Sequence, residues 1–427
     1  MRLKRLIVCL LLILFINIEV SSQTDSVFAT YTTAINRSNL YTKLVNQINK
    51  NLSIPLTPKT ESKWQDVIWS MELINYKTPW VKTRVKYAID SIQYRSTDFQ
   101  RDLLELAYTN YPKDFAKEVN GFITQISNPK VFAMAAEYLL QNKNDNASIF
   151  FLKNLLQKKF GNIADDAILT SLSIRLQQKN AVTANKILPD IFSKSFLPGN
   201  VIMYSIQRKN RDYPGIVIVR NKEGKFVREN NEKVFSVPQL ARSITNLPGY
   251  LTNGNTPQGI FRMYGFDNSA SSFIGPTTNI QLTMPAETSL QHFFRDSSIT
   301  DSTWNIDWYR KLLSEKIKKY SPLYESFYAG KAGRSEIIAH GTAIDPGYYR
   351  NKPYYPYTPS QGCLSTKEFW SPTTGKRLQS DQQKLADAIN LAGGPDGYAV
   401  VIELDNKNIP VNINEILPLI LKAESLK

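Results

Sequence analysis

The sequence predicts an α+β protein, an N-terminal all-α helical domain followed by a mostly-β domain that carries a helical insertion. Two patterns lead to that expectation. Up to about residue 196, apolar residues recur at spacings of three and four, the period of helices buried along one side. Beyond Leu197-Pro198-Gly199 they gather instead into short β-branched runs separated by turn residues. Length agrees with both, because 427 residues are enough for two hydrophobic cores.

The first element is a leader. Met1-Arg2-Leu3-Lys4-Arg5 is cationic, Leu6 to Ile16 is apolar, and small Ser21 and Ser22 precede polar Gln23 and Thr24. This order reads as an export signal over residues 1–22, and the apolar run is well short of the roughly 20 residues needed to span a bilayer. The expected location is the periplasm or cell envelope, with no transmembrane segment in the mature chain. Cys9 lies too early in the apolar run to serve as a lipid attachment site.

Residues 26–196 then read as helix after helix. Leu103, Leu104 and Ala107 mark one apolar stripe, Phe115, Val119, Phe122 and Ile123 a second, and Phe132, Ala135, Leu139 and Leu140 a third. Pro112, Asn128-Pro129, the polar cluster at 142–146 and Gly161 break the runs. Such segments suit antiparallel helix pairs of a bundle or solenoid, although no fixed repeat is present. The basic residues are dispersed as on a solvated face, so no nucleic-acid partner is expected. A protein partner for this half stays open.

Strands are expected at 201–206, 215–219, 225–227, 234–237, 259–263, 280–284, 336–339 and 398–404, paired mainly antiparallel because few helices separate them. The exceptions are a helical insertion at about 287–328, marked by Trp304, Trp308, Leu312, Leu313 and Ile317, and a helix over 382–392. This domain is bounded as 200–405, and residues 406–427 are left as a C-terminal tail.

Scarcity narrows the chemistry. The chain has 52 Lys and Arg against 37 Asp and Glu, but only two histidines and two cysteines. That excludes nearly every metal site and every disulfide framework, and no cofactor is implied. Loss of the leader removes Arg2, Lys4, Arg5 and Glu19, leaving a net charge of +13. It also removes Cys9, so the mature chain holds one thiol, Cys363. Such a cysteine outside the cytosol is either a buried inert thiol or a nucleophile, and the count alone leaves both open.

Three local features favour the nucleophile. Thr256-Pro257-Gln258-Gly259-Ile260-Phe261 is a turn feeding a strand. Ile337-Ile338-Ala339-His340-Gly341 is a strand that ends in a histidine. Ser360-Gln361-Gly362-Cys363 is a glycine turn that delivers the thiol. A free thiol needs a neighbouring base or dipole to react near neutrality, and His340 is one of two candidates. Gly362 permits a sharp turn that aims the Cys363 N–H at a developing oxyanion. His292, between Gln291 and Phe293-Phe294, reads as a packed or surface histidine.

Together these features resemble the L,D-transpeptidase (YkuD) catalytic domain over residues 200–405. That family carries His-Gly at a strand end, a Ser/Thr-His-Gly-Cys turn, and Thr-Pro-x-Gly-x-Phe upstream. The resemblance implies a mostly-β transpeptidase domain that acts on peptidoglycan stem peptides. Cys363 would attack the carbonyl of the third stem residue to form a thioester, with His340 as general base and acid. An amine of a second stem would then resolve the thioester into a 3-3 crosslink. Ser360, Gln361, Gly362 and Gly341 would shape the turn and the oxyanion region, with Thr256 and Gly259 as fold elements. Two positions depart from the family pattern: Gln361 replaces the turn histidine, and Ser365 replaces the usual Arg or Asn. Arg334 and Arg350 are candidates for ion-pair or positioning roles. The tyrosine- and proline-rich stretch 346–359 reads either as a lid or as a packed loop. Alternative outcomes of the same site are hydrolysis of the thioester by water, or a catalytically silent wall-binding protein that keeps the fold.

Overall fold

The structure is a computed structural model that describes residues 26–177 and 183–425. The expected leader, residues 1–22, lies outside the described residues.

Eight helices form the N-terminal part: α1 (Ala34–Ser53), α2 (Glu61–Leu73), α3 (Pro79–Asp90), α4 (Thr97–Asn110), α5 (Ala116–Ile123), α6 (Pro129–Asn142), α7 (Asn146–Phe160) and α8 (Ala167–Gln177). Their starts follow from local chemistry. The side chains of Thr78, Ser96, Asn128 and Asp145 accept the free first-turn N–H groups of α3, α4, α6 and α7, and Pro79 and Pro129 occupy the first helical position, where no N–H is needed. The predicted breaks coincide with these boundaries, and Gly161 ends α7 at φ 58°.

The helix expected at the end of this domain belongs elsewhere. In α9 (Ala184–Phe192), Ile187, Leu188, Ile191 and Phe192 are buried in the core of the following sheet. The helical domain's core therefore ends with α8, and the boundary at 196 is too late. The chain is punctuated at Leu197-Pro198-Gly199, but packing is decided by the apolar face of α9, which meets the sheet.

The second part is built on one eight-stranded sheet in the order β3-β2-β1-β10-β4-β5-β6-β7. Its strands are β1 (Val201–Arg208), β2 (Gly215–Arg220), β3 (Val237–Gln239), β4 (Gly259–Asp267), β5 (Asn279–Thr283), β6 (Ile338–His340), β7 (Leu364–Ser365) and β10 (Gly397–Asp405); β8 (Glu368–Trp370) and β9 (Arg377–Ser380) form a separate ribbon. The insertion supplies α10 (Leu290–Phe294), α11 (Ile306–Arg310) and α12 (Glu325–Lys331), and α13 (Asp381–Leu391) precedes β10.

The sheet is mixed, not simply antiparallel, because β10 runs parallel to β1 and β7 runs parallel to β6. Every residue of β1 is buried. Ile202, Tyr204 and Ile206 enter one core with α9, the insertion and the C-terminal segment, while Val201 and Met203 enter the other with α13. A strand buried on both faces has a continuous apolar run, as parallel central strands do, so no alternation marks its pairing.

The C-terminal residues are no tail. Val411, Ile416, Ile420 and Ala423 are buried in the first of those cores, the last two from α14 (Leu417–Ser425). The loop expected as lid or packing resolves as packing. Tyr349 and Tyr354 are buried in the helical domain's core, Tyr349 donates to Leu73 O at 2.9 Å, and Arg242 lies 4.7 Å over the Tyr354 ring. Leu240, Ile244, Leu247, Tyr250 and Leu251 join the same core, so the two parts are fused along one apolar seam.

Truncation of Ile416 or Ile420 to Ala is expected to cost about 2–4 kcal/mol in denaturant unfolding, the range for buried aliphatic side chains. A loose tail would give a change within about 0.5 kcal/mol.

Candidate active site

The site lies at one end of the sheet, where β6 and β7 pair. Ala339 pairs with Leu364, and both side chains are fully buried in the core shared with α13. Side chains alternate along a strand. His340 therefore points to the opposite face, and Cys363 is the residue just ahead of β7. In register His340 stands opposite Ser365, two positions beyond Cys363, and the sulfur itself lies against Glu336 O and the Ile338 N–H. Cys363 is partly exposed, whereas His340 is buried. No hydrogen bond joins the ring to the sulfur in this structure.

Each partner is held from behind. His340 Nδ1 lies 2.5 Å from Gly341 O, so Nδ1 carries the proton and Nε2 keeps its lone pair. Gly341 is glycine for space, since a Cβ there would overlap the Glu368 carboxyl. That carboxyl is buried, is pushed up to about 7 by its burial, and accepts from Thr277 and Ser380 at 2.6 Å each. Gln382, at the start of α13, donates to Ala339 O at 3.0 Å and fixes the strand exit.

The nucleophile turn is closed by Ser360. Its Oγ accepts from Gly362 N at 3.0 Å and donates to Cys363 O at 2.8 Å. Thr256 Oγ1 donates to Gly362 O at 2.8 Å, which gives the upstream motif a direct hold on the turn. Gly362 sits at φ 126°, and a Cβ there would overlap Arg334 and approach Gly254 O. With the turn so fixed, the Cys363 N–H donates to no other group among the described residues. It is free for an oxyanion. Gln361 is exposed, and its side chain forms no hydrogen bond among the described residues.

Arg334 is the residue that spacing did not select. Its guanidinium is buried and donates to three backbone carbonyls, those of Gly249, Gly254 at 2.5 Å and Asn255 at 2.7 Å. No carboxylate is in ion-pair contact with it, and burial pushes its pKa down to about 10. Its charge acts on Cys363. Ser365 turns inward and donates to Thr358 O at 2.8 Å. Arg350 is exposed and lies in the loop facing α1.

Burial raises the Cys363 pKa, and the Ile338 N–H and Arg334 partly oppose it. Burial lowers the His340 pKa, and Gly341 O partly opposes that. At neutral pH the pair is therefore thiol and neutral imidazole. The thiol donates to Glu336 O at 3.5 Å. Glu336 has a left-handed backbone at φ 61°, held by its N–H donating to Glu287 Oε1 at 2.8 Å. His292 is exposed, with its ring edge-on to Tyr264 at 5.7 Å. Among the described residues no group of His, Cys, Asp and Glu is placed to hold a metal ion, and no helix is long and apolar enough to cross a membrane.

Comparisons with family models, with curated proteins and with solved structures gave no match.

Removing the cation at 334 should raise the Cys363 midpoint by about one pH unit or more, the usual effect of a close charge on a poorly solvated group. In Arg334→Gln the pH dependence of alkylation by iodoacetamide reads this directly. An unchanged midpoint would separate Arg334 from the thiol. Gly362→Ala should reproduce the shift, since its Cβ displaces the guanidinium.

Proposed function

We propose that this chain is an exported cysteine acyltransferase of the L,D-transpeptidase type, acting on peptidoglycan stem peptides. The observation that carries the proposal is the disposition of Cys363: partly exposed, two positions in register from the residue paired with His340, beside the Arg334 guanidinium, and with its own N–H unengaged among the described residues. This disposition supports a thioester mechanism with the roles that follow.

On substrate binding, His340 Nε2 takes the thiol proton as sulfur attacks the carbonyl carbon of the third stem residue. The tetrahedral oxygen is stabilised by the Cys363 N–H, with the Arg334 charge close behind. Collapse breaks the C–N bond, the departing amine receives the proton from His340, and a thioester remains. The incoming amine then gives one proton to His340 and attacks the thioester. The C–S bond breaks, the thiolate recovers that proton, and the new amide keeps the remaining N–H.

Amine and not water is favoured as acceptor by Glu336. Its side chain is exposed, forms no ion pair among the described residues, and its charge reaches the sulfur. A carboxylate so placed draws an ammonium group toward the thioester. Hydrolysis by water is the alternative fate of the same intermediate.

Treatment with a carbapenem should place one acyl adduct on Cys363, absent in Cys363→Ala and formed roughly 10²–10⁴ times more slowly in His340→Ala. Muropeptide profiles of cells carrying Cys363→Ala should lose 3-3 crosslinks. Retained crosslinks with altered stem length would assign the hydrolase instead. Because burial lowers the imidazole pKa, the acylation rate should hold as pH falls through 6.5 and decline only below it; a decline beginning above pH 7 would contradict a buried base.

A further inference from the structure

The loop from Gly249 to Asn255 faces two ways. Gly249, Gly254 and Asn255 turn their carbonyls to the Arg334 guanidinium beside Cys363. The residues between them turn their side chains into the helical domain. Tyr250 is buried, and its hydroxyl donates to Glu137 Oε1 at 2.8 Å. Glu137, on α6, is itself buried and paired with Arg175 of α8 at 2.7 Å. Thr252 is bonded by Lys130 of α6. Asn253, with a left-handed backbone at φ 57°, donates to Glu105 Oε1 of α4 at 2.9 Å. Two helices, α4 and α6, thus grip the loop between the points that hold the cation.

We propose that the helical domain is a positioning element of the nucleophile, acting through Tyr250 and Asn253 on the carbonyl cradle that holds Arg334. It is not merely an appended module for recruiting a partner. A guanidinium satisfied only by backbone carbonyls goes where those carbonyls go. Carbonyls on a glycine-flanked loop are placed by whatever anchors the loop. Here the side chains of Tyr250, Thr252 and Asn253 are all anchored on α4 or α6, and the Asn253 carbonyl also accepts from Thr245 at 2.6 Å. Loosening an anchor lets Arg334 drift from the sulfur, and the thiol then holds its proton more tightly. The inference rests on Cys363 being the reactive group of the proposed function, but its signature is a property of the thiol and needs no peptidoglycan.

The test uses the chain without residues 1–22 and three variants. Tyr250→Phe deletes one hydroxyl and keeps the ring. Asn253→Gly deletes the amide while tolerating the left-handed backbone. Tyr138→Phe is the matched control, since its hydroxyl lies in the same helical core but bonds Tyr111 O and Phe115 N, away from the loop. The rate of Cys363 alkylation is measured across pH alongside the melting temperature. Tyr250→Phe and Asn253→Gly should raise the thiol midpoint by about half a unit, slowing alkylation about threefold at pH 8. Tyr138→Phe should lower the melting temperature without moving the midpoint. Unchanged midpoints in both loop variants, or an equal shift in the control, would overturn the inference. Carbapenem acylation of the unaltered chain is scored separately. A shifted midpoint with no adduct keeps the coupling and rejects the enzymatic reading, whereas an adduct with no shift does the reverse.

Discussion

A buried guanidinium without a carboxylate is the constraint around which the site is arranged. Taking a charge out of water is costly unless hydrogen bonds replace the lost solvent, and Arg334 receives three backbone carbonyls in place of an anion. The difference matters for the sulfur. A carboxylate in contact would cancel the cation's field a few ångströms away, whereas carbonyl dipoles satisfy its donors and leave much of its charge. Glu287 and Glu325 act on Arg334 only at longer range, and the Arg211 charge opposes them. Gly362 completes the arrangement, because any side chain at that position would occupy the volume of the guanidinium.

The sheet carries the two groups proposed to react on a short parallel pair of strands. Strands β6 and β7 are short and parallel, and in a parallel pair both chains leave the sheet at the same end. Because the ladder holds only two residue pairs, a histidine closing one strand and a cysteine just ahead of the next come within two positions of register. Such a terminal strand would present an open edge for pairing with another chain. Here Ser365 and Leu240 exchange backbone hydrogen bonds at 2.8 and 2.9 Å, and the segment carrying Leu240 continues into the helical domain's core. The helical domain thus covers the side of the sheet on which catalysis is proposed.

What could be read in the sequence was what local chemistry decides. The breaks between α4, α5, α6 and α7 are written in capping residues and prolines whose action extends over one turn. Cys363 and His340 stood out because their residue types are scarce, and Gly362 because the turn demands it. The placement of α9 and α14 was not legible. Both carry apolar stripes that state a need for burial but not the surface that meets it, and a punctuating Leu197-Pro198-Gly199 suggested the wrong side. The parallel β10 beside β1 was hidden for a related reason: with both faces buried, neither strand alternates. Arg334 was named in the sequence only as one of two candidate cations, and nothing there selected it over Arg350. Its partners are peptide carbonyls, and a carbonyl is present at every residue, so no spacing of residue types announces it.

The protonation state of the resting pair bears on how one thiol can be both reactive and durable. A cysteine held as thiolate by an imidazolium is nucleophilic at all times, and the thiolate is also the form that oxidants attack. For an enzyme proposed to work outside the reducing cytosol this is a liability, the more so with no second cysteine in the mature chain to form a reversible disulfide. Burial resolves the conflict by moving both groups toward neutrality, the thiol upward and the imidazole downward. The Glu336 carbonyl, held in place by Glu287, accepts the thiol proton in the resting state. Arg334 and the Ile338 N–H then act as latent stabilisers. They lower the energy of the thiolate without populating it, so negative charge appears on sulfur only when a carbonyl carbon is present to receive it.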